Sequence, residues 1–333
     1  MRALLVSLLI AAIAVPTVAS AEPPGGETRL EGSLEGSKNP FRGSAFTYRN
    51  SVSAISFDKA AELTYNPTWA MSFELAPRYW FGDVLYVGAS LDFTREITND
   101  DSSTYRGETW IGNLDLRVGA SKWATIPGAD IDLSGTLDFI LPTSKIANAQ
   151  TLLFGVVPGL RLSRHFDVLK GLDVGYGIRL TKNFHRYTTG ETESPVIPGC
   201  VGTVGGCDSY LNDGVRNASW RLSNSFDVGV SFTDWLSLGA SFSILTSFLY
   251  DAVEDPQVSF TPQASTDTRT ALVYDIGVTV TPLSYLSVSL GATTVNPQLA
   301  PDSSNYAPFF NRYTALYLDL RLDVADLVAT ATR

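Results

Sequence analysis

The chain has 333 residues and a formal net charge of −10, which argues against nucleic acid or an anionic membrane surface as its partner. Charged residues make up only 17%, low for a water-soluble domain of this size. Gly 27, Tyr 14, Phe 17 and Trp 6 against Met 2 favour sheet and turn over helix.

Positions 1–21 read as a secretory signal peptide: a basic start at Arg2, an apolar stretch from Ala3 to Pro16, and a small-x-small cleavage site at Ala19-Ser20-Ala21. Glu22, not Cys, follows the expected cut, so a lipid-anchored product is not expected. Residues 22–40 are rich in Gly, Glu and Pro, with almost nothing to bury, and are expected to be a flexible N-terminal segment. After the leader no apolar run approaches the ~20 residues a spanning helix needs. An exported chain of this kind is soluble or crosses a membrane as strands.

From about Ser44 the pattern becomes period two, the signature of strands with one apolar face. The first segment, near Phe46 to Phe57, is the least regular. Trp69 to Tyr79 then sets Trp69, Met71, Phe73 and Leu75 against Ser72, Glu74 and Arg78. Val84 to Arg95 sets Leu85, Val87, Ala89, Leu91 and Phe93 against Tyr86, Gly88, Ser90 and Asp92. Further segments follow at Trp110–Ser121, Ile131–Leu141, Thr151–Ser163, Leu172–Phe184, Trp220–Phe232, Leu236–Tyr250, Ala271–Val280 and Leu286–Thr294. The last and cleanest, Tyr313–Val324, sets Leu316, Leu318, Leu320, Leu322 and Val324 against Tyr317, Asp319, Arg321 and Asp323.

One phrase recurs along the chain, a polar turn followed by an aromatic residue and strict alternation. It appears at Trp80–Ser90, Phe232–Phe242 and Thr281–Ala292. The links alternate in length. Gly82-Asp83, Thr233-Asp234, Pro282-Leu283-Ser284, 124–128 and 165–170 are short, whereas 58–66, 96–108, 143–149, 185–218, 251–269 and 297–310 are longer and rich in Asp, Asn, Ser, Thr and Pro. Segments of about 10–13 residues suit a tilted membrane-crossing strand, whereas sandwich strands run to about 5–6. A soluble exported β domain would also show alternation, but not this length, nor a polar face mixing Gly, Ser, Asp and Arg. The expected fold is all-β: a transmembrane antiparallel up-and-down barrel over 41–325, of about twelve strands, with short periplasmic turns, long extracellular loops and a C-terminal tail at 326–333.

The repeated turn-aromatic phrase and the closing Tyr317-Leu318-Asp319-Leu320-Arg321-Leu322 strand resemble bacterial outer-membrane β-barrel proteins as a class. The phrase looks like those of outer-membrane transporter families, including the phenol-degradation MetA-pathway group. The resemblance is one of pattern over the leader and about 44–325, and it carries over no binding residue. It implies location in the bacterial outer membrane, assembly by the outer-membrane machinery and passage of a small solute. One departure is that such barrels commonly end on an aromatic residue, whereas Ala325 to Arg333 follow the final strand here.

The inward face carries the charges expected to line a lumen: Glu74, Arg78, Asp92, Asp115, Arg117, Asp132, Asp138, Arg161, Asp173, Arg179, Arg221, Asp227, Asp275, Asp319 and Arg321, joined by Asp323 and, if the first strand is so registered, Arg49. No interior lysine is expected. Mixed Arg and Asp favours fixed, forked ion pairs. Arg161 with Asp173, flanking one turn, and Arg117 with Asp132 are the candidate couples. These charges either set the selectivity of a polar pore or fill a closed barrel. Inward glycines such as Gly88, Gly175, Gly239 and Gly291 remove side-chain volume and tip the balance toward an open lumen.

Cys200 and Cys207, the chain's two cysteines, read as a disulfide stapling the tip of the longest loop. Trp80, Phe81, Trp123, Phe166, Trp235 and Tyr285 are expected in the periplasmic aromatic girdle. Trp69, Trp110, Phe184, Tyr187, Trp220, Tyr250, Phe309 and Phe310 are expected in the outer one. The histidines are His165, in a periplasmic turn, and His185, at the outer end of a strand, and neither sits in a hydrolase motif. No enzyme, metal or cofactor is therefore expected. A channel passing small solutes through a narrow polar lumen comes first, a closed barrel acting through its loops second, and a lipid-modifying barrel enzyme third.

Overall fold

The computed structural model describes residues 39–57, 68–98, 107–193, 210–251, 267–298, 304–307 and 309–331. Cys200, Cys207 and residues 1–38 lie outside them. In chain order the strands are β1 (Ala45–Ser53), β2 (Trp69–Ala76), β3 (Arg78–Phe81), β4 (Leu85–Glu96), β5 (Thr109–Ile111), β6 (Leu114–Ile126), β7 (Ile131–Leu141) and β8 (Leu152–Phe166). They continue with β9 (Leu172–His185), β10 (Thr189–Glu193), β11 (Tyr210–Arg216), β12 (Ala218–Ser231), β13 (Leu236–Leu249), β14 (Thr268–Leu283), β15 (Leu286–Pro297) and β16 (Thr314–Asp323). Among the described residues two α-helices join them, α1 (Lys145–Ala149) between β7 and β8 and α2 (Val324–Ala331) directly after β16.

Every barrel pairing is antiparallel and links strands consecutive around the wall. The ring closes because β1 pairs with β16 on one side, Ala45 opposite Asp323, and with β2 on the other, which in turn pairs with β4. Counting β2 and β3 as one strand broken at Pro77, and leaving aside the short β5, this makes a closed barrel of 12 strands. Pro77 breaks the ladder because it has no N–H to donate, but the register runs through it, with Leu75 opposite Leu91 and Arg78 opposite Gly88. The β10–β11 hairpin forms a separate two-stranded sheet at the outer end.

The two faces have opposite chemistry. Leu85, Val87, Leu116, Val118, Leu160, Ile178, Ile276, Val278 and Leu290 are exposed on the outside, and Leu290 keeps 66% of its surface. In water such a surface would be unstable. Facing acyl chains it is the stabilising element, and closure leaves no unpaired strand edge in the apolar layer. No described helix is long and apolar enough to cross a membrane. The chain is a closed antiparallel β-barrel whose apolar outer face suits a membrane.

The short turns follow local chemistry. Gly82 sits at φ +77° in the turn between β3 and β4, a conformation that disfavours any side chain. In the β12–β13 turn the Thr233 hydroxyl accepts from the Trp235 and Leu236 amides at 3.3 and 3.0 Å, which fixes the entry of Leu236. At the other end Ser144 caps α1 by accepting from the Ala147 amide at 3.0 Å.

Candidate functional site: the charged lumen wall

The inward side chains form long-range ties along the wall. Arg161 on β8 grips Asp227 on β12 through two hydrogen bonds of 2.8 Å, passing over β9. Arg117 on β6 forks onto Asp138 on β7 at 2.8 and 2.9 Å, and Arg179 on β9 reaches the same carboxylate across β8. Arg49 on β1 forks onto Asp319 on β16 at 2.8 and 2.7 Å, and its guanidinium lies 4.7 Å from the centre of the Tyr317 ring. Tyr317 on β16 donates to Asp275 on β14 at 3.1 Å, over β15.

Each tie that skips a strand crosses it at a glycine. A Cβ on Gly175 would stand 2.5 Å from Asp227 Oδ2 and closer still to the Arg161 guanidinium. One on Gly159 would stand 3.2 Å from Arg179 Cγ, and one on Gly291 would stand 2.5 Å from the Tyr317 ring and hydroxyl. Tyr86 similarly lies on Gly119. These glycines therefore do not widen the pore by leaving space, as composition alone suggests. They are seats that let large side chains lie flat against the wall. Gly239, with nothing within 4 Å of a Cβ, is an inward glycine that does leave open space.

The candidate couples are re-sorted. Arg161 holds Asp227, not Asp173, whose carboxylate is 2.7 Å from His165 Nδ1 at the short-turn mouth. Arg117 holds Asp138, not Asp132, which takes a hydrogen bond from Thr125 and an ion pair from Lys122 at 3.3 Å. Turn proximity misled because barrel register, not sequence distance, sets which side chains meet. Arg321 lies in the field of Glu74, Asp323, Asp319 and Arg78. Arg78 also lies 4.5 Å above the Tyr86 ring, and Arg221 donates to the Ser247 hydroxyl at 3.3 Å. Thr94 donates to Asp92 at 3.4 Å, and Asp115 stands opposite Ser90 and Ile140.

Lys122 is an interior lysine that alternation does not predict. A bulge in β6, between Ala120 and Ala124, takes up extra residues, and Lys122 adopts φ +43°. Lys122 thereby turns toward Asp132 while Trp123, 53% exposed, takes the outward position. Trp80 departs from the expected girdle as well. It is buried, donates from Nε1 to the Arg42 carbonyl at 2.9 Å and lies 4.0 Å from the Arg42 guanidinium, while Tyr79 and Phe81 face outward. Trp110 pairs opposite Thr94, on the inward face, beneath the Lys145 ammonium.

Toward the short-turn end the wall surrounds a cavity of about 780 Å³. Its lining runs from Arg49 and Glu74 past Arg161 and Asp227 to Asp275 and Arg321, and α2 contributes Asp326. Just outside the membrane span, Asp326 has its carboxyl raised above the usual range, first by desolvation and then by the neighbouring Asp323, which caps α2 by accepting from the Asp326 amide at 3.0 Å. His185 lies edge-on to Tyr250 at 5.6 Å. Among the described residues no three His, Cys, Asp or Glu gather as a metal site.

Solved structures similar to this chain include the COG4313 outer membrane channel from Pseudomonas putida F1, at 10% identity and a TM-score of 0.49, with 84% of this chain and 93% of that one covered. The KdgM porin in complex with disordered oligogalacturonate is similar at 7% identity and a TM-score of 0.40, with 84% and 98% covered. LpxR from Salmonella typhimurium is similar at 10% identity and a TM-score of 0.37, with 84% and 100% covered. These likenesses are too distant to bear on cargo or chemistry. No protein-family model and no curated protein sequence matches the chain.

Proposed function

We propose that the barrel is an outer-membrane channel that passes small solutes through a narrow polar lumen. The supporting observation is the 780 Å³ cavity inside a wall whose charged groups are tied flat instead of reaching across. A closed barrel packs its interior with crossing side chains, whereas this wall seats Tyr317, Tyr86 and the Arg161–Asp227 pair on glycines. The lining charges, from Glu74 to Arg321, set which solutes pass. Residues 1–21 serve as the export signal, the outer-membrane machinery inserts the barrel, and Cys200 with Cys207 staples the longest loop. Of the two histidines, His165 engages Asp173 and His185 packs on Tyr250.

Swelling of proteoliposomes in isosmotic solutions of graded solutes tests this function. Swelling with amino-acid-sized solutes, declining steeply with solute size, is the expected result. Vesicles that hold the folded barrel yet stay as tight as empty ones count against a channel and favour a closed barrel.

A further inference from the structure

Three inward residues stand directly side by side in the wall: Asp227 on β12, Ser241 on β13 and Asp275 on β14. Their charges are not balanced alike. Asp227 is neutralised by the forked Arg161, and the nearby Arg49 is consumed by Asp319. Asp275 has no cationic group within salt-bridge distance among the described residues; its Oδ1 accepts from Tyr317 at 3.1 Å, and the Thr293 side chain, opposite it on β15, stands within hydrogen-bonding reach of the carboxylate. Its Oδ2 is buried without a hydrogen-bond partner among the described residues. Beside it Ser241 is 9% exposed, lines the cavity, and its hydroxyl also lacks a partner among those residues. One step outward on the same face of β13, Ser243 is 1% exposed with its hydroxyl in the same condition.

An ionised carboxylate kept from water and from a fixed counter-charge is costly, and so is an unsatisfied hydroxyl. In a wall that opens onto a wet cavity, both costs are met by a mobile cation. The donors are all oxygen: one carboxylate in excess, one or two hydroxyls. That set suits a small monovalent cation, whereas a divalent ion calls for several carboxylates and a full oxygen cage.

We propose that Asp275 and Ser241 form a binding station for a single monovalent cation on the lumen wall, either an alkali ion or the primary ammonium of a small organic solute. This rests on the channel function above and gives it a sign: the lumen favours cations. The Arg161–Asp227 tie shapes one flank, and Tyr317 holds the Asp275 carboxylate in place.

The test has two arms. In planar bilayers, reversal potentials in a KCl gradient give the cation-to-anion permeability ratio, and methylammonium chloride replaces KCl to separate the two sources. Asp275→Asn should lower the ratio roughly fivefold, the effect of one unit charge at close range in water. Asp275→Glu should restore it, and Ser241→Ala should fall between. In the second arm, crystals of the full chain soaked in RbCl should show anomalous density between Asp275 and Ser241 that Asp275→Asn abolishes. A conducting channel whose ratio ignores Asp275→Asn, with no rubidium peak, overturns the station and leaves the channel standing. A silent barrel with the rubidium peak overturns the channel and leaves the station.

Discussion

Arg161 and Asp227, 66 residues apart in sequence, are joined by two 2.8 Å hydrogen bonds across a strand that contributes a glycine at the crossing. Their side chains are largely buried, at 18% and 5% exposure. Arg161→Ala therefore leaves a carboxylate in the wall without its counter-charge. A loss of about 1–3 kcal/mol is expected, read as a lower urea midpoint for unfolding from lipid vesicles. Arg161→Lys keeps the charge but should recover only part of this loss, because an ammonium cannot make both parallel bonds of the fork.

Glycines in the wall should differ sharply in tolerance. Gly291→Ala pushes a methyl onto the Tyr317 ring and onto the Ile276 carbonyl, a backbone atom that cannot step aside. Gly239→Ala meets nothing within 4 Å. Thermal loss of the fast-migrating, folded form on gels should come several degrees earlier for Gly291→Ala, and Gly239→Ala should match the wild type. Equal behaviour of the two would mean the seats are not needed.

Asp138 serves two arginines, Arg117 and Arg179. Asp138→Asn removes the charge both depend on, and should cost more stability than either Arg117→Ala or Arg179→Ala alone. In a double-mutant cycle, Asp138→Asn with Arg117→Ala should be clearly less than additive, since residues of one network couple by about 0.5–3 kcal/mol.

The outward face predicts a different cost. Leu290 is 66% exposed toward the bilayer, and Leu290→Arg places a charge there at a cost of about 2–4 kcal/mol if it lies near the midplane. Ser289, its inward neighbour, should accept Arg with a much smaller loss. The same vesicle unfolding experiment compares them.

For Asp326 the folded-state pKa is raised above its ordinary value of 3.8. A raised acid favours the protonated fold, so its contribution is most favourable below 3.8 and is lost as pH rises through the elevated folded-state value. Hydrogen exchange of the α2 amides should speed up over that rise. Asp326→Asn should flatten the profile and slow exchange at neutral pH; an unchanged profile would remove Asp326 from the account of α2 stability.

Alternation made the barrel legible. The run Leu316, Leu318, Leu320 and Leu322 against Tyr317, Asp319 and Arg321 states the two faces of β16 outright, and Thr233 with Gly82 marks the short turns. Partnership was not legible, because period two fixes a face but not a height on the neighbouring strand. Arg161 finds Asp227 two strands away, and no local spacing encodes that distance. Lys122 was hidden by a bulge, which shifts parity without any Gly or Pro to announce it. The inward glycines were visible, but whether Tyr317 or empty space lay above them depended on register.

Single-channel recording in a planar bilayer tests the channel most directly. Refolded barrel is predicted to give discrete, stepwise openings in KCl, with a reversal potential on the cation-selective side. Barrel that shows the heat-shifted gel mobility of the folded state, inserts, and carries no current would contradict it.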